Sequence, residues 1–76
     1  MIDTLKSRIT SDPNIFGGQP IIRGQRMRVA DILGYLAAGE TRDSLLSQFP
    51  FLVDEDITAA LTYGAEATSH RLIAAE

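Results

Sequence analysis

Seventy-six residues, 45% of them hydrophobic and 22% charged, define one small globular domain and exclude a chain that is disordered throughout. A dinucleotide-binding fold or an α/β barrel needs far more chain, and the absence of cysteine removes disulfides, thiolate zinc sites, iron–sulfur clusters and thiol nucleophiles. The net charge of −3 is unevenly spread, with +3 in residues 1–30 and −6 in residues 31–76, which predicts a basic end for nucleic acid and an acidic end for solvent or a basic partner.

No apolar stretch is long enough for a signal peptide or a membrane span, so the cytoplasm is the expected compartment and no membrane is expected as a partner. So short a chain builds a thin core, and a homodimer would relieve that shortage.

Glycine and proline crowd the first 24 residues and interrupt three short β-type runs, Arg8 to Thr10, Ile15 to Phe16 and Ile21 to Arg23. This pattern describes a partly extended arm over residues 8–29. Arg23-Gly24-Gln25-Arg26 predicts a two-residue hairpin with Gly24 first in a type II′ turn, joining Ile21–Arg23 to Arg26–Val29.

After Arg28 the hydrophobic period changes from two to about 3.6. Val29, Ile32, Leu33 and Leu36 form the stripe of a first helix, and Gly39 stands where it would stop. Thr41 is placed to cap a second helix with Leu45, Leu46 and Phe49 inside, which Pro50 ends. Asp54, Glu55 and Asp56 make an acidic first turn for a third and longest helix, along which Ile57, Ala60, Leu61, Gly64, Thr68 and Leu72 keep helical spacing. The expected architecture is a mainly α single domain spanning residues 1–76. It has a three-helix helix-turn-helix bundle over residues 29–76 behind an N-terminal β-arm and hairpin.

The string Arg8-Ile9-Thr10-Ser11-Asp12-Pro13, then Ile15-Phe16-Gly17-Gly18-Gln19-Pro20-Ile21-Ile22-Arg23-Gly24-Gln25-Arg26 and Val29-Ala30-Asp31-Ile32-Leu33, resembles the bacterial family called domain of unknown function 433. Glu55-Asp56-Ile57-Thr58-Ala59-Ala60-Leu61 continues the likeness at the right spacing. The resemblance implies a homeodomain-like fold and a VapB-like antitoxin that neutralises a PIN-type ribonuclease toxin. It also implies a C-terminal grip on that toxin, for which Thr68, Arg71 and Leu72 are the candidate residues in this chain. Two positions depart from the family pattern. Val53 replaces the usual Ser or Thr, leaving Asp54 to cap the third helix, and Arg28 adds a charge where relatives carry Pro or a small polar residue.

Arg23, Arg26 and Arg28 are the candidate DNA-binding residues, because alternate strand positions share a face and bring Arg26 and Arg28 together. The competing reading leaves these arginines solvated, or paired with Asp31 and Glu40. Six such guanidinium groups in a dimer set a salt slope of at most about −5 for promoter DNA. The orthodox recognition helix would be the third, but three carboxylates at its start would repel phosphates, so DNA contact is expected from the arm.

No catalytic constellation is expected. His70 is a lone imidazole without a facing partner, and Asp54 with Asp56 lacks further metal ligands. Gly17-Gly18-Gln19-Pro20 lacks the Lys-Ser/Thr of a phosphate loop. Neither a cofactor nor a small-molecule substrate is expected, and the reading is a non-enzymatic regulator. The alternative is a protein-interaction module that does not bind DNA.

Overall fold

In a computed structural model of the chain, residues 7–75 are described, with side chains for residues 7–68. The elements run β1 (Ile9–Thr10), a 3-10 turn (Phe16–Gly18), β2 (Ile21–Ile22), α1 (Val29–Ala37), α2 (Arg42–Gln48) and α3 (Asp54–Ala75). The architecture is mainly helical: three helices behind a β-arm.

β2 lies between two partners. It pairs antiparallel with β1 (Ile9 opposite Ile22, Thr10 opposite Ile21), and on its other edge Ile21 bridges Arg28. Ile21 and Ile22 are both fully buried, so successive side chains on opposite faces of this short strand both meet protein. The Ile15–Phe16 run is not a strand; it leads into the 3-10 turn.

The hairpin after β2 is real, but its turn is shifted by one residue from expectation. Ile22 N–H donates to the Met27 carbonyl (3.0 Å) and Gln25 N–H to the Ile22 carbonyl (2.7 Å), leaving Arg23 and Gly24 as the central pair. Both have positive φ, 45° and 71°, which is the type I′ pattern rather than II′. Arginine adopts this disfavoured conformation because its side chain is anchored on α3, an interaction that turn propensity does not see.

Each helix boundary has a local cause. Thr41 Oγ1 accepts the Ser44 N–H (3.0 Å) while Ser44 Oγ accepts the Thr41 N–H (3.1 Å), a reciprocal cap for α2. Gly39 takes φ 103° just past α1, as expected for a helix stop. At the start of α3 the expectation fails: Asp54 does not replace the missing cap. The Val53 N–H is bonded instead by Asp56 Oδ2 (3.1 Å), the carboxylate half of a capping box.

The core draws on the arm and all three helices: Ile22, Met27, Val29, Ile32, Leu45, Leu52, Ile57 and Ala60. Gly64 of α3 lies against α1, where a Cβ would stand 3.1 Å from Leu33 Cδ1. Leu61, counted inward by spacing, is 41% exposed. Among the described residues no helix is long and apolar enough to cross a membrane.

Candidate nucleic-acid interface

The three arm arginines meet different fates. Arg23 closes on Asp56, with Nε donating to Oδ1 (2.9 Å) and Nη2 to Oδ2 (2.9 Å), and Nη2 also reaches the Phe51 carbonyl (2.6 Å). Arg8, just before β1, joins with Nη1 on Asp56 Oδ1 (3.1 Å), while its buried Nε has no protein acceptor. Asp56 is fully buried beneath them. Burial pushes its carboxyl pKa up, but the hydrogen bonds from Arg23, the Val53 amide and Arg8 outweigh it and hold the group below its ordinary value. The same bond raises the pKa of Arg23.

Arg28 is closed in a second pair. Its Nη2 donates to Asp31 Oδ1 (2.6 Å) and its Nε to both carboxylate oxygens (3.1 and 3.2 Å), and Nη1 leans on Gln19 Oε1 (3.4 Å). Asp31 Oδ2 also accepts the Arg28 N–H (3.0 Å), tying the pair to the start of α1. Arg28 hydrogen bonding lowers the pKa of Asp31, against the upward push of partial burial, and raises that of Arg28.

Arg26 is different: among the described residues no carboxylate meets it. Its guanidinium lies 5.8 Å from the centroid of the Phe16 ring, and that of Arg28 lies 5.6 Å from the same centroid. Arg26 and Arg28 thus both meet the Phe16 ring. Phe16 is 39% exposed and has a φ of 49°. Nothing in the apolar periodicity marked it, since its role depends on a turn that brings it beside the hairpin.

The start of α3 is also electrostatically quieter than its sequence. Asp56 is covered by Arg8 and Arg23, and Asp54 Oδ1 accepts from Arg42 Nη1 (2.8 Å). The expected separation into a basic end and an acidic body is thus corrected: arginines of the arm fold onto carboxylates of the helices. Opposite charges 33 and 48 residues apart attract more effectively in contact than as two ends of a dipole.

Of the candidate toxin-gripping residues, Thr68 is exposed on α3 and its Oγ1 donates to the Gly64 carbonyl (3.0 Å). The side chains of Arg71 and Leu72, like that of His70, lie outside the described residues. Among the described residues no group of three His, Cys, Asp or Glu converges as a metal site.

Fold and arm together define a small trihelical domain whose N-terminal hairpin is locked to its last helix by a buried carboxylate. Residues 9–64 match the family described as protein of unknown function (DUF433), and the chain belongs to that family. The chain is 41% identical over 63 residues to y4eO of Sinorhizobium fredii (strain NBRC 101917 / NGR234), an uncharacterized protein; the match covers 83% of this chain and 28% of that protein. It thus spans little more than a quarter of the length of that relative. The crystal structure of a DUF433 member protein from Anabaena variabilis ATCC 29413 superposes with a TM-score of 0.75 at 31% identity, covering 92% of this chain and 68% of that one.

Proposed function

We propose that this chain is a non-enzymatic, antitoxin-type regulator of the cytoplasm that covers a PIN-type ribonuclease toxin and, as a homodimer, binds the DNA of its own promoter. The observation that carries the DNA half is the grouping of Arg26 and Arg28 over one exposed ring, with Arg26 free of any carboxylate among the described residues. An arginine in that state keeps its N–H fork for phosphate. The pairing of Asp54 and Asp56 with arginines supports the same reading, because it removes much of the repulsion that the start of α3 would otherwise exert on a nearby phosphate.

The toxin-binding half rests on family likeness. It is supported by a run of ring contacts, Tyr35 to Phe49 (5.6 Å) and Phe49 to Phe51 (6.2 Å), with Tyr35 and Phe51 more than a third exposed. Co-expression with the product of the neighbouring reading frame tests it: a stable complex that abolishes ribonuclease activity is the expected outcome, and two proteins that purify apart refute it.

A second reading, a protein-interaction module that leaves DNA alone, is favoured by the closure of Arg23 and Arg28 in ion pairs. Gel shifts with the upstream region at low salt separate the two.

A further inference from the structure

We propose that Phe16 and Arg26 form a single DNA contact point, the ring of Phe16 lying against a sugar or base edge and the Arg26 guanidinium on the adjacent phosphate, with Arg28 as a positioning residue. The proposal rests on the DNA-binding half of the reading above and names the residues that would carry it.

Three observations converge on Phe16. It is a large apolar side chain left 39% exposed and outside the core cluster. Its φ of 49° begins a left-handed run through Gly17 (64°) and Gly18 (89°), a conformation that a residue with an aromatic Cβ substituent rarely adopts. Arg23 carries the same kind of strain but is anchored by hydrogen bonds to Asp56, whereas the Phe16 side chain has no polar anchor and does not serve the core, which leaves its strain to be explained by a role outside the fold. The ring also holds two guanidinium groups at about the same distance, 5.6 and 5.8 Å.

Those two cations are not equivalent. Arg28 turns its Nε and Nη2 edge to Asp31 and one Nη1 N–H to Gln19, so its charge is balanced by a carboxylate and it serves to fix the ring. Arg26 makes no such bonds among the described residues, and a guanidinium held near an aromatic ring keeps its planar edge available for a bidentate phosphate. An aromatic side chain beside a phosphate-binding arginine suits the groove wall of a duplex, where apolar wedges contact sugars and base steps.

Fluorescence anisotropy tests this with a labelled duplex taken from immediately upstream of the gene and a scrambled duplex of equal composition, titrated between about 50 and 200 mM salt. Arg26→Ala is expected to weaken both duplexes and to flatten the salt slope by about 0.9 per protomer. Phe16→Asn is expected to weaken the upstream duplex about tenfold at an unchanged slope. Asparagine tolerates left-handed backbone, so its thermal midpoint should equal or exceed that of the parent chain, which a purely structural role for the ring would not allow.

Wild-type affinity in Phe16→Asn, or an unchanged slope in Arg26→Ala, overturns the proposal while leaving DNA binding intact. A parent chain that binds neither duplex overturns the DNA half of the function, and this contact point with it. Loss of the toxin complex in Phe16→Asn with DNA binding preserved assigns the ring to protein and likewise overturns it.

Discussion

Asp56 shows how much one residue decides. Its carboxylate receives four hydrogen bonds, from Arg8, twice from Arg23 and from the Val53 amide, and so joins the residue before β1, the hairpin turn and the start of α3 at one point. Asp56→Ala strips the Val53 amide and two partly exposed guanidinium groups of their shared acceptor, so it is predicted to destabilise the fold by about 2–3 kcal/mol, read by urea denaturation. Asp56→Asn keeps an acceptor for Val53 and should cost less, since Arg8 and Arg23 retain some exposure and can turn to solvent. The pH dependence follows from the lowered pKa of Asp56. The unfolded chain binds this proton more readily than the folded one, so the contribution is complete above the ordinary carboxylate value of about 3.9 and is lost as pH falls from there through the lower folded value. Asp31 adds to stability with the same sign. The Asp56→Asn variant should therefore show a shallower loss of unfolding free energy below about pH 4 than the parent chain.

At the scale of elements, the fold is held by a turn and a close helix crossing. Gly24, at φ 71°, has nothing within 4 Å of the place where a Cβ would stand, so Gly24→Ala meets only the backbone penalty and should cost about 1 kcal/mol, seen as a lower thermal midpoint. Gly64 is the opposite case. A Cβ there would come within 3.1 Å of Leu33 Cδ1, the end of a flexible and only partly buried side chain that can move aside. Gly64→Ala therefore gains helix propensity at little packing cost, and a stabilisation of about 0.5 kcal/mol is expected by the same assay. A loss in place of that gain would mean that Leu33 cannot yield and that the α1–α3 crossing depends on glycine.

For the whole molecule, the uneven charge of the sequence is turned inward. Arg8 and Arg23, from the positive half, are bound to Asp56 of the negative half, and Arg28 to Asp31, so the attraction holds the arm against the helical body instead of projecting outward. The six phosphate contacts expected of a dimer fall accordingly to two, both from Arg26. The slope of log K against log salt should then be about −2 for promoter DNA, rather than −5. A slope near −5 in a salt titration would mean that the ion pairs open on DNA and release Arg23 and Arg28 to the phosphates.

Local chemistry made most of the architecture legible in the sequence: the apolar stripe from Val29 to Leu36, the Thr41 cap, the stop at Pro50 and the acidic start at Asp54 are each settled within a few residues, where periodicity and capping act. Arg26 and Arg28 do lie at one ring, but Arg26 sits in the bend of the turn and not on a strand, so strand alternation does not account for it. What only the tertiary structure decided was the state of each charge and the position of the Phe16 ring. Arg23 reads as a DNA-binding residue until Asp56, 33 positions on, is folded beneath it, and the turn type at Arg23-Gly24 changes with that anchor. Ion pairs and ring contacts between distant segments depend on the fold bringing them within a few ångströms, a distance that neither spacing nor composition encodes.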